Sequence, residues 1–466
     1  MFAVQKYLNL NVVIILLVAC LLFGCSLLPR SNYQRPEIQI PGMWQNGTLT
    51  GNAVAEREKW WENFNDPVLD KLIVRALRTN NDLAAAAIRV RRARLKSRLT
   101  DTNLTPAASI SAAGSISRDL KNSIENQYYN FTGTLSYELD LWGKLAAARD
   151  SSRWEAEATE VDRQSTALSL IGITAKDYWQ IAYLNSRIEL CENSIVYAQK
   201  MLELVEIKYK AGSVSGLDVV QAKQTLASQR ATLTDLIQQR TEARNAILIL
   251  FDQAPQNNLP ELKRLPDNPL PAIEPGLPAS LLRQRPDLRA CELRLREYLA
   301  DIDQSRASFY PSLTLTGSFG SSSSSLKDVL QNPVATLGAG LALPFIQWNT
   351  MQLTVKISQT VYEEAVVNFR QTLYKALSEV ENALSANLQY QAENLFMEES
   401  LTLARKAEQL AEVRYLAGAT GMQDWLTAQE TRRTAETRLA TNRLNRLKNM
   451  MTLYQALGGD THLGQI

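Results

Sequence analysis

Two short stretches determine the fold: Tyr209-Lys-Ala-Gly-Ser-Val-Ser-Gly-Leu-Asp218 and Tyr415-Leu-Ala-Gly-Ala-Thr-Gly-Met-Gln-Asp424. The tyrosine, the alanine-glycine pair and the aspartate of the first stretch recur 206 residues later in the second. Other landmarks keep a spacing of 205 or 206 residues: Trp142 and Trp348, Asp82-Leu83 and Asp287-Leu288, and Pro106 and Pro311. This spacing indicates an internal repeat, so each half of the chain is expected to carry the same series of elements.

Long helical segments flank these stretches. Residues 144–211 are good helix formers that only Gly172 interrupts. From Ile181 to Tyr209 the apolar positions alternate gaps of three and four residues, which is the heptad pattern of a coiled coil. Glycines at 212 and 216 end this helix, and a second helix is predicted over 217–251. The second half has a similar stripe and a turn at 418–421, so one antiparallel helical hairpin is expected in each half.

Each half also contains two short segments of alternating character. These segments are 108–117 and 131–141 in the first half, and 312–319 and 337–345 in the second. Apolar and polar residues alternate with the period of a strand that has two unlike faces. Each segment is about as long as a membrane-spanning strand, which needs roughly 9–11 residues. A soluble sheet would show the same alternation.

The remaining segments set the expected organisation. Charged helices are predicted over 83–99 and 288–309, with N-cap residues just before them. Residues 255–278 are rich in proline and read as a linker. We therefore predict a mixed α and β chain with an extended segment at 25–65 and two structural repeats, 66–254 and 279–466.

The N-terminus has the pattern of an export signal. Lys6 precedes an apolar run at 12–23, which is too short to remain as a membrane anchor. The run ends at Leu22-Phe-Gly-Cys25, which resembles a bacterial lipobox. We therefore predict that 1–24 is a signal peptide and that Cys25 becomes acylated, with an ordinary signal peptide as the alternative. Ser26 resembles the outer-membrane sorting pattern.

The charged residues give little support to a catalytic or nucleic-acid site. The 50 basic and 48 acidic residues nearly cancel, and the one histidine is His462. We therefore predict no enzyme activity, no cofactor, no bound metal and no nucleic-acid partner. A basic run is interpreted as a solvated or intersubunit face, with nucleic acid or anionic lipid as the alternatives: Arg89, Arg91, Arg92, Arg94, Lys96 and Arg98.

The two glycine turns are the candidate functional site. Each turn is followed by an aspartate, which could simply cap the next helix. A ring of such tips around one axis would also bring several carboxylates together, where repulsion and ion binding can set an aperture. Hydrogen bonds from neighbouring side chains, such as Tyr415 or Arg414, or bound cations would have to hold that aperture closed. The predicted gate residues are Gly212, Gly418, Asp218, Asp424, Tyr415 and Arg414.

The four predicted strands require oligomerisation if they enter a membrane. Four strands cannot close a barrel, because even eight leave an interior that side chains fill. Unpaired strand edges in lipid would cost several kcal/mol for each polar group. Strands of several copies must then pair with one another.

Over essentially the whole mature chain the sequence resembles the outer membrane factor (TolC-like) family, in its lipoprotein branch. The resemblance rests on Cys25, Tyr33-Gln-Arg-Pro36, Trp60-Trp61, Asp66-Pro67, Asn80 to Asp82, Tyr137-Glu-Leu-Asp-Leu-Trp-Gly-Lys144, Arg285-Pro-Asp-Leu-Arg289, Ala307-Ser-Phe-Tyr-Pro311 and Tyr415 to Gln429. It implies a homotrimer with a 12-stranded β-barrel that continues into a periplasmic α-helical barrel. Some relatives carry an arginine in the second tip, where this chain has Ala419 and Thr420, so a salt-bridge latch is not expected there.

The resemblance also implies a function. The chain is expected to be a lipid-anchored channel of the bacterial outer membrane, with the helical part in the periplasm. It would act as the exit duct for an inner-membrane pump and a periplasmic adaptor that meets the hairpin tips. The alternative is a periplasmic adaptor lipoprotein, which should show a single hairpin between β-rich halves. The exported substrate cannot be read from the sequence.

Overall fold

The computed structural model describes residues 30–47, 59–121, 125–255, 260–266, 270–271 and 276–459. Cys25, the predicted signal peptide and His462 lie outside these residues. In chain order the helices and strands are α1 (Pro67–Thr79), α2 (Asn81–Asp101), β1 (Ala107–Arg118), β2 (Glu125–Leu139), α3 (Lys144–Lys210), α4 (Gly216–Leu250), α5 (Leu281–Gln284), α6 (Pro286–Ala307), β3 (Ser312–Ser323), β4 (Pro333–Ala342), α7 (Trp348–Leu416) and α8 (Met422–Ala456). Short 3-10 turns lie at Trp60–Phe64, Thr102–Leu104, Pro278–Ser280, Leu326–Asp328 and Pro344–Ile346. None of the described helices is long and apolar enough to cross a bilayer.

Two compact units make up the described chain, and each takes segments from both halves of the sequence. The first unit contains the described residues of 1–38, 88–160 and 290–370, and the second contains those of 39–87, 161–289 and 371–466. These units do not coincide with the repeats 66–254 and 279–466, which remain a prediction.

The first unit contains one antiparallel sheet in the order β1-β2-β3-β4. The four strands predicted from the alternating segments are confirmed, although their observed ends differ from the predicted ends. β2 begins at Glu125, earlier than predicted, because its polar first residues still pair with β1, as in Glu125 opposite Arg118. β4 ends at Ala342 rather than at 345, because Pro344 has no N–H group to donate to a ladder.

The strand register gives the sheet two unlike faces. One row across the four strands is apolar and consists of Ala108, Leu135, Gly317 and Leu337. The adjacent row is hydroxylic and consists of Ser109, Thr134, Ser318 and Thr336. Because successive side chains of a strand point to opposite faces, these rows lie on opposite sides of the sheet.

The first charged helix begins at its predicted cap, whereas the second begins at Pro286, before the predicted start. Asn80 precedes α2, and its Oδ1 accepts a hydrogen bond from the N–H of Leu83 at 3.0 Å. Asp287, predicted to precede the second charged helix, lies inside α6, where its carboxylate accepts two hydrogen bonds from the side chain of buried Arg285, at 2.7 and 3.0 Å. The α6 helix ends at Ala307, two residues before the predicted end.

Helix α3 has 67 residues, which corresponds to about 100 Å at 1.5 Å per residue. Leu184, Ile188 and Cys191 from the predicted seam pack with Leu236 of α4 in a buried cluster. The Cys191 thiol donates to the carbonyl of Gln229, and Cys191 is not in a disulfide. This residue fills a core position, as expected for a small hydrophobic side chain.

Gly172, the one break in the predicted α3 helix, has a packing role. A Cβ at this position would overlap the side-chain amide of Gln455. The Nε2 of Gln455 donates to the carbonyl of Leu168 at 3.0 Å, so its side chain lies directly against α3. Glycine allows this close approach without ending the helix.

Candidate functional site at the hairpin tips

The first hairpin turn, between α3 and α4, is a glycine C-cap. Gly212 has a φ of 71°, in the left-handed region that favours glycine. Its N–H donates to the carbonyl of Tyr209 at 2.9 Å, and the N–H of Ser213 donates to the carbonyl of Lys208 at 2.9 Å. This pair of bonds is the Schellman motif, which satisfies the last carbonyls of a helix.

The second turn, between α7 and α8, repeats this backbone geometry. Gly418 has a φ of 74°. The N–H of Gly418 donates to the carbonyl of Tyr415 at 3.0 Å, and that of Ala419 donates to the carbonyl of Arg414 at 2.9 Å. The recurrence of tyrosine and glycine in the sequence therefore reflects one turn geometry used twice.

Asp218 caps the helix that follows the first turn. Ser215 is the N-cap of α4, and its N–H and its hydroxyl donate to the Asp218 carboxylate at 2.9 and 2.7 Å. Together with the reciprocal bond from the Asp218 N–H these contacts form a capping box. The capping role considered for Asp218 is therefore confirmed, in the third helical position rather than at the N-cap itself.

Asp424 has different surroundings, although it occupies the equivalent place in the second turn. The N-cap of α8 is Gly421, which has no side chain to complete a capping box. Asp424 is exposed, and within the described residues its carboxylate has no hydrogen bond or ion pair. The capping role considered for Asp424 is wrong in the form of a side-chain bond, because the Gly421 N–H does not donate to its carboxylate and Gly421 has no hydroxyl that could do so.

Tyr415 lies in a buried aromatic contact between the two hairpins. Its ring centroid lies 5.1 Å from that of Trp425 on α8. The Lys208 ammonium from the first hairpin lies 4.4 Å from the Tyr415 ring centroid, which is a cation–π distance. Tyr197 on α3 meets Trp425 edge to face at 6.1 Å. The edge-to-face pair of Tyr197 and Trp425 and the Lys208 cation thus join the two hairpins.

Tyr415 and Arg414, which are predicted to hold the aperture, differ in burial within one chain, and their role between copies stays a prediction. Tyr415 is only 4% exposed, and its hydroxyl has no hydrogen-bond partner among the described residues. Burial raises the pKa of Tyr415, and the nearby charge of Asp218 raises it further. Arg414 is exposed and contributes its carbonyl to the turn.

Lys208 and Trp425 were not identified from the sequence. Trp425 stands where the repeat has Val219, so the repeat itself gave no sign of an aromatic position. A lysine and a tyrosine separated by 207 residues carry no local signal of contact, since only the packing of two hairpins brings them together. The replacement of Val219 by a tryptophan at the equivalent position 425 is the one sequence signal that could indicate an aromatic contact here.

Comparison with known proteins identifies the family. The sequence profile of the family described as "Outer membrane efflux protein" matches residues 72–250 and 277–459. The chain is 32% identical to the pyoverdine export outer membrane protein OpmQ of Pseudomonas putida, over 94% of this chain and 97% of that protein. It is 29% identical to toxin and drug export protein A of Aggregatibacter actinomycetemcomitans, over 98% and 99%. The crystal structure of CusC, described as forming a transmembrane channel, is similar with a TM-score of 0.83, 27% identity and coverage of 93% and 100%.

These similarities extend over nearly the whole chain, and they confirm the resemblance drawn from the sequence. They favour the exit duct over the adaptor alternative. The helices favour it too, because the chain has two long helical hairpins and an adaptor is expected to have a single one. The chain therefore belongs to the outer membrane efflux protein family, whose members are transport channels that serve as the exit ducts of tripartite efflux systems.

Proposed function

We propose that three copies of this chain close one 12-stranded barrel in the outer membrane, with β4 of each copy pairing to β1 of the next. The observation that carries this proposal is the open sheet. Among the residues that the structure describes, β1 and β4 each pair on one side only, and all their residues are exposed. Unpaired backbone groups in lipid cost several kcal/mol each, so a sheet that enters a bilayer needs paired edges.

The two faces of the sheet support a barrel with lipid outside and water inside. Ile110 and Ile116 of β1 are 77% and 64% exposed, and Leu337 of β4 is 91% exposed. Such exposure of large apolar side chains is costly in water and favourable in lipid. The hydroxylic row on the other face suits the wall of an aqueous duct.

Cysteine cross-linking tests the proposed pairing. Ser111→Cys in β1 is combined with single cysteines scanned along 334–341 in β4. Oxidation of the double variants in membranes is expected to give covalent trimers at positions of one parity, because alternate side chains face opposite sides. Ser111→Cys alone is the control and should give no ladder. Cross-linked species that stop at dimers, or that appear only within one chain, would count against closure by three copies.

We also propose that the hairpin tips form the periplasmic aperture of the duct. Threefold assembly would give three copies of Asp218 and three of Asp424 around the axis. Like charges about 6–8 Å apart repel by roughly 2–3 kcal/mol per pair at an effective dielectric near 20, before screening. The Lys208–Tyr415–Trp425 contact supports closure, because it holds the two hairpins of one chain together. Splaying the hairpins would open the aperture.

A second membrane attachment is proposed at Cys25. The lipobox-like sequence before it supports acylation. Each buried methylene contributes about 0.8 kcal/mol, so several acyl chains anchor a protein firmly. Mass spectrometry of the mature N-terminus is expected to find acylated Cys25 as residue one. An unmodified cysteine, or cleavage elsewhere, would remove this part of the proposal.

The duct is proposed to serve an inner-membrane pump through a periplasmic adaptor, and to leave substrate selection to the pump. Relatives of similar length are named for export of pyoverdine and of toxins and drugs, which are chemically unlike cargoes. Reconstitution with candidate pumps, followed by measurement of export, identifies the partner. Export of unrelated cargoes through the same duct with different pumps is the expected result.

A further inference from the structure

A cavity lies in the first unit, close to where helices and strands meet. Its volume is about 390 Å³, and it lies between the N-terminal segment at 30–33, the first turns of α3 and the last turns of α6. Trp142 and Gly143, which line it, follow the end of β2 at Leu139. Ala307, which also lines it, ends α6 just before β3. The cavity therefore lies at the periplasmic end of the strands if the sheet spans the outer membrane.

Aromatic side chains form part of the cavity wall. Trp142, Tyr33 and Trp154 line it. The indole N–H of Trp142 donates to the carbonyl of Pro311 at 2.6 Å, and its ring stacks on Tyr310 at 5.2 Å. Tryptophan and tyrosine are enriched at membrane–water interfaces, where one side of the ring meets lipid and the other meets polar headgroups.

Arg296 provides a positioned cation in this wall. Its guanidinium carbon lies 4.9 Å from the Tyr33 ring centroid and 5.1 Å from that of Trp154, so two rings hold it in place. A terminal nitrogen is 3.7 Å from the Glu292 carboxylate, which is longer than a hydrogen bond. The Nε of Arg296 is buried and has no hydrogen-bond acceptor among the described residues. A buried donor without an acceptor is costly unless a ligand provides one.

Two further arginines line the cavity with loose ion pairs. Arg30 lies 3.6 Å from the carboxylate of Asp150, and Arg306 lies 3.7 Å from that of Asp303. Arg306 also lies 3.5 Å from the hydroxyl of Ser31. Asp303 already accepts short bonds from the N–H and hydroxyl of Ser31, at 2.8 and 2.6 Å. Both arginines therefore keep donors available for an anionic oxygen.

We propose that this cavity binds the phosphate of a phospholipid headgroup from the periplasmic leaflet of the outer membrane. The inference rests on the proposed function, because it requires the sheet to cross that membrane. Planar guanidinium groups match the geometry of phosphate oxygens and bind them with charge-assisted hydrogen bonds. The aromatic wall suits the glycerol and the first methylenes of the lipid. Arg296 and Tyr33 would then link the N-terminal segment to the bound headgroup.

Native mass spectrometry of the mature protein, extracted from the membrane and delipidated in detergent, tests the inference. Phosphatidylglycerol is titrated in one arm, and inorganic phosphate at the same concentrations in the other. The Arg30→Gln, Arg306→Gln double variant is expected to bind the lipid about tenfold or more weakly, since it loses two charge-assisted contacts. Arg89→Gln with Arg92→Gln is the matched control, because it removes the same charge from exposed positions on α2 that do not line the cavity. Arg296→Lys keeps the stacked cation but removes Nε, and it should also weaken binding.

The outcomes separate this inference from the proposal on which it rests. Equal loss of lipid in the control and the cavity variants would show general charge attraction and would overturn the site. Equal binding of inorganic phosphate would overturn the lipid as its ligand. Trimers that bind no phospholipid would overturn the inference while leaving the duct intact. Absence of trimers from the wild-type sample would instead overturn the proposed function, and this inference with it.

Discussion

Asp218 and Asp424 occupy equivalent positions in the two turns, yet their carboxylates meet different surroundings. Asp218 accepts two hydrogen bonds from Ser215, whereas Asp424 is exposed and follows a glycine N-cap. Hydrogen-bond donors hold a bonded carboxylate in place and partly neutralise its negative charge. An exposed carboxylate keeps its full negative charge, which can act on ions in an aperture. We therefore expect Asp218 to have a structural role and Asp424 to have a gating role.

Substitution at these two positions tests that separation. Asp218→Ala is expected to reduce the stability of the first hairpin by about 0.5–2 kcal/mol, since it removes a cap. Asp424→Ala should change stability by no more than about 0.5 kcal/mol, but it should alter single-channel conductance or block by divalent cations. Thermal unfolding and planar-bilayer recordings measure the two effects. Unchanged conductance and cation block in both variants would mean that these residues have no part in a gate.

Within the first unit, the N-terminal part of α3 and the helix α6 bring carboxyl groups close together. Glu297 of α6 is partly buried beside Glu155 of α3 and Asp301. Burial, and then the charge and hydrogen bond of Glu155, raise the pKa of Glu297 to about 8. The folded protein therefore holds a proton that the unfolded chain, with an ordinary glutamate, releases at lower pH.

This pKa shift predicts that stability declines as pH rises from the ordinary pKa of glutamate to about 8. Between the ordinary pKa of glutamate, about 4.3, and the raised value, the folded state binds more protons, so the free energy of unfolding falls as pH rises. Glu297→Gln removes the titrating group, and the midpoint of thermal unfolding should then decrease less between about pH 5 and about pH 9. Glu363→Gln changes an exposed glutamate on α7 and is the control. Equal pH profiles for wild type and Glu297→Gln would contradict this account.

The elements themselves could be predicted closely from the sequence. The heptad seam, the alternating strands and the glycine turns depend on local patterns, and their bounds differ from those observed by a few residues. The strand ends differ because backbone pairing continued through polar residues at Glu125 and stopped before Pro344. The Lys208–Tyr415 contact and the Arg296 cavity could not be predicted, because each joins residues distant in sequence that carry no shared pattern.

The open edges of the sheet and its two unlike faces both require further copies of the chain. A chain with four strands can form an aqueous duct through a membrane only if other copies complete the barrel. If β4 of each copy pairs with β1 of the next in a closed ring, every strand edge gains a hydrogen-bonded partner. All these contacts are then identical, as cyclic symmetry requires. The proposed acyl anchor, gate and phospholipid site would then be additions to an assembly that strand pairing defines.

The mass of the folded particle shows directly how many copies assemble. The protein is extracted from the outer membrane in mild detergent and measured by native mass spectrometry, without cross-linking. We predict a single species with the mass of three mature chains, which persists on dilution because strand pairing and helix packing both hold it. A stable, folded single chain, or a particle with a different number of copies, would contradict the account.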